Sequence, residues 1–370
     1  MQEQVSYFFR INKSVPCCFL LVFIVLNHEK YIQRCLHIAK NGIGTTRPNP
    51  SVGAVVVLND KIIGEGYTSS YGGNHAEVNA INSVSDKTLL KEATIYVTLE
   101  PCSHFGKTPP CADLIAKHQL KNVVIGCVDS NSLVAGKGIK RLEKAGCNVI
   151  VGVLEKECRK HHKRFFTVQD KNRPYIILKW AETKNGFIAP LTKDETKPVW
   201  ISNAYSQQLV HKWRAEEQAI LVGTNTVIAD NPKLNVRSWE GSNPIRIVLD
   251  RKLRIPKEYS VFDGSVKTIV LTALENKSSN KNLIFEYIDF SKNIAKQVCE
   301  VLQKHQIQSV LIEGGLQTLQ TFINADLWDE ARVFIGENEF KNGVEAPVVF
   351  GRTLKDVKIK NNRLKIVLND

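Results

Sequence analysis

The first half of the chain alternates between apolar residues at helical spacing and short β-branched runs. Between Glu29 and Lys40, the apolar residues Ile32, Leu36 and Ala39 recur on one face of a predicted helix. The valine-rich run from Ser51 to Leu58 predicts a strand. The further elements predicted in this half are strands at 61–67, 93–99, 122–128 and 149–154, and helices that begin at 75 and 111 and lie around 139–145.

The second half restarts this alternation after a polar boundary. A basic helix predicted from Glu155 to about Phe166 leads into the sequence DKNRP at 170–174, which is typical of a domain boundary. Alternation of strands and helices favours a mixed α/β fold in both halves. The elements predicted beyond the boundary are strands at 175–180, 219–222, 245–249, 268–271, 309–312 and 331–335, and helices at 203–215, 294–304 and 316–325.

The length of the chain also indicates two domains. Its 370 residues exceed the roughly 250 to 300 residues at which a single core stops growing. The apolar run from Val15 to Leu26 is shorter than the roughly 20 residues of a membrane-spanning helix, and no small-residue cleavage site follows it. We therefore expect an appended or mis-started N-terminal segment at 1–26, with a targeting segment as the alternative. We expect a first domain at 27–152, a linker helix and boundary at 153–173, and a second domain at 174–370, with no membrane partner.

Net charge and cysteine content limit the kinds of partner and the cellular compartment that we expect for this protein. The net charge of +13 is compatible with nucleic acid, an anionic membrane surface or phosphorylated small molecules. Because no element interleaves aromatic and basic residues as RNA-binding sheets do, phosphorylated metabolites are favoured and nucleic acid is not expected. The nine cysteines are widely spaced, unlike a disulfide framework, and favour a reducing cytoplasm. A homo-oligomer remains open.

Three residues have the chemistry of a catalytic zinc site. One imidazole, His75, and two thiolates, Cys102 and Cys111, form a ligand set that leaves a fourth tetrahedral position for water. Zinc lowers the pKa of such a water toward 7. Glu77 lies close enough to His75 in sequence to exchange protons with that water without binding the metal, as in zinc deaminases. The alternatives are a structural zinc site, or a capping His75 with two unrelated buried cysteines; the set lacks the fourth protein ligand of a structural site.

The spacing of the two cysteines points to one family of deaminases. Eight residues separate Cys102 from Cys111, where nucleic-acid and nucleoside deaminases usually have two. The segments PCSHFGKTPPC (101–111), RPNPSVG (47–53) and DSNSLVAGKG (129–138) resemble the deaminase half of the bifunctional deaminase–reductases of riboflavin biosynthesis, although that family more often has proline at Ser130 and Ser132. The resemblance implies a cytidine-deaminase-like α/β/α sandwich in which Asn49 helps to hold the pyrimidine. Asn49 could equally be a turn residue before the strand.

The second domain lacks a Rossmann fingerprint but resembles the other half of the same family. The strand at 309–312 leads into Gly314 and Gly315 at the start of a helix, which on its own is a weak sign of a phosphate site. The segments 178–181, 222–232 and 244–250 are similar to the family's reductase half, whose fold is like that of dihydrofolate reductase. The resemblance thus covers residues 27–370 and implies two cofactors, one zinc ion per chain and NADPH.

The resemblance assigns site residues position by position. The NADPH site is implied to involve Glu182, Trp200, Thr226, Asp230, Gly315, Leu316, Gln317, Thr318, Leu319, Gln320 and Thr321. The substrate is implied to contact Lys179, Pro198, Arg214, Leu234, Arg237 and Glu313. Glu182 stands where the family often has a small residue, and Pro198 where a serine commonly contacts substrate; Trp200 could instead be a core residue. We expect the guanidinium groups of Arg214 and Arg237 to bind the substrate's phosphate.

The implied function is two consecutive steps on one phosphorylated pyrimidine. The first is hydrolytic deamination of 2,5-diamino-6-(5-phosphoribosylamino)pyrimidin-4(3H)-one, and the second is NADPH-dependent reduction of its ribosyl group to ribityl. Two alternatives remain open. One is a deaminase whose second domain only binds a nucleotide. The other is a nucleic-acid or nucleoside deaminase, which leaves the second domain unexplained.

Overall fold

The computed structural model describes residues 18–105, 109–130, 135–192 and 195–370. Most of the predicted N-terminal segment, residues 1–17, lies outside them, and the first described helix begins at Cys18. No helix in the described residues is long and apolar enough to cross a membrane. The helices are α1 (Cys18–Ala39), α2 (Ala76–Ser83), α3 (Cys111–Lys117), α4 (Lys137–Lys144), α5 (Glu155–His161), α6 (Lys163–Lys171), α7 (Ala204–Glu216), α8 (Thr224–Asp230), α9 (Ile294–Lys304) and α10 (Leu316–Asn324).

The strands form one mixed sheet in each half of the chain. Their bounds are β1 (Gly53–Leu58), β2 (Lys61–Tyr67), β3 (Thr94–Leu99), β4 (Asn122–Cys127), β5 (Asn148–Val151), β6 (Tyr175–Glu182), β7 (Phe187–Pro190), β8 (Ala219–Gly223), β9 (Ile245–Leu249), β10 (Thr268–Thr272), β11 (Leu283–Tyr287), β12 (Ser309–Ile312), β13 (Glu330–Ile335), β14 (Gly343–Glu345), β15 (Arg352–Ile359) and β16 (Asn362–Leu368). The first sheet has the order β2-β1-β3-β4-β5. The second has the order β11-β10-β9-β8-β12-β6-β13-β16-β15, and β7 pairs separately with β14.

The first sheet is covered by helices because its strands are apolar on both faces. Every residue of β1 up to Val57 is buried, and continuous apolar strands of this kind need cover on both sides. Tyr31 and Cys35 of α1 belong to the core, as do Phe165 and Phe166 of α6. The helix that follows the first sheet therefore packs against it.

The second sheet separates two apolar layers. Successive residues of a strand point to opposite faces, so Ile176 and Leu178 of β6 face the layer under α9 and α10. Ile177 lies in the opposite layer with Trp213 of α7. From β11 to β13 the strands run parallel. Their carboxyl ends therefore share one edge, where binding sites of α/β sheets usually lie.

The predicted helix from Glu155 is in fact two helices. It is interrupted at His162, which has φ −87° and ψ 14°, and continues to Lys171. The buried His162 ring lies with Nε2 3.1 Å from Thr98 Oγ1, so the change of direction brings this ring to the first sheet. The sequence pattern showed the polar face of the segment but not this contact.

Buried ion pairs join the connecting helix to the second domain. Arg164 on α6 donates to both carboxylate oxygens of Glu217, with Nε 2.7 Å from Oε2. Glu217 is completely buried, and Arg332 lies 3.7 Å from it. The loop before the first sheet approaches the same region, since a Cβ on Gly44 would lie 2.4 Å from the carbonyl oxygen of Ala215. The two halves thus meet through close contacts of charged groups and backbone.

Candidate active sites

The three predicted zinc ligands lie together at the carboxyl edge of the first sheet. His75 is the N-cap of α2, Cys111 is the first residue of α3, and Cys102 follows β3. His75 Nδ1 lies 3.3 Å from the sulfur of Cys111 and 3.7 Å from that of Cys102. A tetrahedral zinc with bonds of about 2.3 Å to sulfur and about 2.0 Å to nitrogen needs nitrogen–sulfur separations of about 3.5 Å. The donor atoms therefore fit the geometry of zinc.

The surroundings of the cluster favour anionic sulfur. The backbone N–H of Cys111 donates to the sulfur of Cys102 at 3.3 Å. Hydrogen bonding from Cys111, together with that from His75, lowers the pKa of the Cys102 thiol to about 4 against the opposing effect of burial. Thiolate is the form that binds metal, so Cys102 is prepared for a ligand role.

Glu77 lies beside the cluster in the same cavity. It is in the first turn of α2 and only 4% exposed. Burial, with a further contribution from the Cys102 thiolate, raises the pKa of its carboxyl to about 7. A carboxyl with a pKa near neutrality can both accept and return a proton, which matches the predicted role.

The cavity is large enough for a pyrimidine. Its volume is about 370 Å³, and Asn49 lines it together with His75 and Cys102. Asn49 is also held in a turn, because its N–H donates to the carbonyl of Thr46 at 3.0 Å. Other residues in the lining are Pro48, Tyr71, His104, Asp129, Phe165, Gln169 and Gln308.

Glu100 is a site residue that the sequence analysis missed. Its carboxylate accepts hydrogen bonds from the backbone N–H groups of Asp129, Gly136, Gly138 and Ile139. Glu100 thereby holds the segment around Asp129 next to Pro101 and Cys102. The sequence does place an acidic residue at a strand end directly before Pro-Cys, which could have indicated a role at the site. It does not show which backbone N–H groups that carboxylate would bind.

The second site begins at the ends of two neighbouring parallel strands. Gly223 ends β8 and Gly314 follows β12, and both strands are paired. A Cβ on Gly314 would lie 3.0 Å from Val222. Gly315 has φ +58°, and a Cβ added there would lie 3.0 Å from Thr226 Oγ1. Only glycine tolerates this close approach and backbone conformation readily. The two glycines thus form a narrow cradle at the N-terminus of α10, where a phosphate group would be stabilised.

The predicted cofactor residues on α10 divide into two groups. The backbone of Gly315, Leu316 and Gln317 opens the helix beside Thr226. Leu319 is 1% exposed and packs in the core, so its place in the cofactor site stays a prediction that its buried side chain does not support. Further along, Gln320 bonds to Asn324 and Thr321 to the carbonyl of Gln317. These last contacts stay within the helix.

The predicted substrate residues gather around Glu313. Lys179 Nζ lies 3.6 Å from its carboxylate, and Arg214 donates to both of its oxygens. Arg214 Nη1 donates to the carbonyl of Asn235 at 3.2 Å. These contacts use three of the five N–H groups of the Arg214 guanidinium, and its contact with the substrate's phosphate stays a prediction. Arg237 is exposed, and within the described residues its side chain bonds only to Asn235. Its guanidinium is therefore better placed than that of Arg214 to contact a phosphate. Leu234 is a buried core residue.

Three predicted residues lie apart from this cluster. Glu182 accepts a hydrogen bond from Trp180 Nε1 at 2.7 Å and lines a separate cavity of about 450 Å³. Trp200 is 53% exposed, which does not support core packing, and Pro198 precedes it on the same segment. Among the described residues, no hydrogen bond or ion pair joins these three to Glu313. Asp230 is the last residue of α8, the helix whose Thr226 lies beside Gly315.

Sequence comparisons match both halves to known families. Residues 26–127 match the cytidine and deoxycytidylate deaminase zinc-binding region. Residues 174–363 match the RibD C-terminal domain. Riboflavin biosynthesis protein RibD of Aquifex aeolicus is 39% identical over 91% of this chain and 95% of the relative. RibD of Bacillus amyloliquefaciens is 38% identical over 88% of this chain and 86% of the relative.

Solved structures agree with these matches. A diaminohydroxyphosphoribosylaminopyrimidine deaminase/5-amino-6-(5-phosphoribosylamino)uracil reductase from Thermotoga maritima superposes with a TM-score of 0.85 at 35% identity, covering 93% of this chain and 99% of that one. RibD of Acinetobacter baumannii has a TM-score of 0.85 at 31% identity with the same coverage. These matches confirm the predicted fold, a cytidine-deaminase-like domain followed by a dihydrofolate-reductase-like domain.

Proposed function

This chain belongs to the RibD family and is a bifunctional deaminase and reductase of riboflavin biosynthesis, and we propose which residues carry its two reactions. The first is hydrolytic deamination of 2,5-diamino-6-(5-phosphoribosylamino)pyrimidin-4(3H)-one. The second is reduction of the ribosyl group of the deaminated product by NADPH. The two sites use separate residues, so each reaction can be measured alone.

His75, Cys102 and Cys111 would hold Zn²⁺ in the deaminase site. A zinc ion bound there supplies the Lewis acidity that makes water acidic enough to attack at neutral pH. Glu77 carries one proton of the attacking water to the ring nitrogen and then, as the C–N bond breaks, carries the second proton from the added hydroxyl to the amino group, which leaves as ammonia. Asn49 orients the pyrimidine, while Glu100 acts only by holding the neighbouring loop.

In the second domain, Gly314 and Gly315 would let the phosphates of NADPH approach the N-terminus of α10. The cofactor supplies the hydride, and the protein positions it against the sugar. Lys179 and Glu313 face the substrate, and Arg237 is the guanidinium proposed to contact its phosphate. Arg214 holds Glu313 in place.

The observation that supports this proposal most is the meeting of His75, Cys102 and Cys111 beside the buried Glu77 in one cavity. The test is incubation of the purified protein with the diaminopyrimidine nucleotide, with and without NADPH. We expect ammonia release in both samples and oxidation of NADPH in the sample that contains it. Supplying the deaminated nucleotide directly measures the reductase alone. Absence of ammonia release from zinc-loaded protein would refute the assignment of the substrate.

A further inference from the structure

One wall of the deaminase cavity comes from outside the first sheet. Phe165 and Gln169 lie on the connecting helix α6, and Gln308 lies immediately before β12 of the second sheet. They share the cavity lining with Glu77 and Asn49. The fold of the first sheet alone does not complete this cavity.

The backbone of Gln308 is held firmly by its own domain. Its N–H donates to the side-chain oxygen of Gln218 at 2.8 Å, and its carbonyl accepts from the N–H of Tyr175 at 2.8 Å. Gln218 directly follows Glu217, the buried partner of Arg164. Gln308 is 9% exposed. Its side chain therefore extends from a fixed point.

That side chain crosses to the deaminase domain. Gln308 Nε2 donates to the carbonyl oxygen of Pro48 at 2.7 Å. Pro48 precedes Asn49 in a turn closed at both ends, since the Asn49 N–H donates to the Thr46 carbonyl and Thr46 Oγ1 donates to the Asn49 carbonyl, each at 3.0 Å. A turn tied in this way moves as one piece, so the bond to Pro48 also fixes Asn49.

We propose that Gln308, a residue of the reductase domain, is a positioning residue of the deaminase site, holding the Pro48–Asn49 turn where Asn49 can contact the pyrimidine. The inference rests on the proposed function, because it assumes that Asn49 binds the deaminase substrate. Without the Gln308 donor, the partly buried Pro48 carbonyl loses its partner. The turn then shifts to regain one, and substrate binding weakens while the zinc ligands and Glu77 stay in place.

The test compares steady-state deamination by full-length variants. Gln308→Glu keeps the length of the side chain but removes the donor, and Gln308→Leu removes it without adding charge. We expect KM for deamination to rise roughly 3- to 10-fold, the range that corresponds to the loss of one hydrogen bond, with kcat within about twofold of wild type. Zinc content and reduction of the deaminated nucleotide should not change.

Gln303→Glu provides the matched control. Gln303 also donates through its side-chain amide to a backbone carbonyl outside its own helix, that of Asn172, but it lies outside the cavity. It should leave KM unchanged. An unchanged KM in both Gln308 variants, with wild-type zinc content, would overturn the proposal and leave Gln308 as an interface residue. If the wild-type protein itself released no ammonia, the proposed function would have failed instead.

Discussion

Arg214 and Glu313 form a buried, two-point ion pair in the reductase domain, with Nε 2.9 Å from Oε1 and Nη2 2.8 Å from Oε2. Burial alone would raise the pKa of Glu313, but the charges of Arg214 and Lys179 outweigh it and lower the pKa to about 2. Glu313 is therefore ionised at neutral pH, and Arg214 fixes where its charge lies.

We predict that Arg214→Ala lowers the free energy of unfolding by about 3 kcal/mol, at the lower end of the range for breaking a buried ion pair. The loss stays at that end because Lys179 still faces Glu313 at 3.6 Å. Chemical denaturation measures it. Arg363→Ala is the control, since Arg363 pairs with Asp356 at the surface and should cost less than about 1 kcal/mol. Similar losses in both variants would contradict the prediction.

The pair between Arg164 and Glu217 predicts a specific loss of stability in acid. Burial raises the pKa of Glu217, but Arg164 and Arg332 lower it to about 2, from an ordinary value of 4.5. The unfolded chain therefore takes up the proton first as the pH falls. The stabilisation is fully present above about pH 4.5 and is lost progressively toward pH 2.

Glu217→Gln should remove this part of the pH dependence. We expect the variant to be less stable at pH 7, with a difference from wild type that shrinks between pH 4.5 and pH 2 in denaturation curves. Glu258→Gln is the control, because Glu258 is exposed and substitutions at the surface usually change stability by less than about 0.5 kcal/mol. A constant difference between Glu217→Gln and wild type would show that Glu217 does not titrate in this range.

Removal of one thiolate should separate the two activities. We predict that Cys102→Ser loses most of its bound zinc, of which the wild-type protein should hold about one ion per chain. Deamination should be abolished, while reduction of the deaminated nucleotide continues. Mass spectrometry of the metal measures the first effect. The control is Cys147→Ser, a variant that should bind zinc as wild type does. Cys147 bonds to the carbonyl of Leu120 and is not in the ligand cluster. Full zinc content in Cys102→Ser would exclude Cys102 as a ligand.

Glu77→Gln tests the proton transfer itself. The amide keeps the shape of the side chain but cannot carry the proton, so ammonia release should slow by about 10² to 10⁴. Zinc content and reductase activity should be retained. Glu65→Gln, which alters an exposed ion pair with Arg34, serves as the control. Loss of zinc from Glu77→Gln would mean that Glu77 is a ligand, contrary to the mechanism.

The sequence predicted all five strands of the first sheet, but in the second sheet it predicted the parallel core better than the edges. Strands such as β8 and β12 are continuous apolar runs, which only a buried position explains. The antiparallel strands β15 and β16 escaped prediction because they carry many charged side chains and much of β15 is exposed. Apolar and polar residues alternate only weakly in these strands, and the lysines around the turn at Lys360 and Asn361 hide that pattern.

The candidate sites also contain residues that the sequence could predict and residues that it could not. His75, Cys102 and Cys111 could be predicted because their side chains have distinctive chemistry at a distinctive spacing. The pairing of Arg214 with Glu313 could not be predicted, because the two residues are far apart in sequence and a guanidinium group binds either a carboxylate or a phosphate. The contact of Gln308 with Pro48 depends on how two domains pack, which local patterns do not record.

The direction of β12 links the two sites through one strand. Gln308 stands before the strand and Glu313 after it, so a single short strand joins a residue that lines the deaminase cavity to the carboxylate proposed to face the reductase substrate. Because an extended strand transmits a shift along its own axis, a displacement of β12 would move both residues at once.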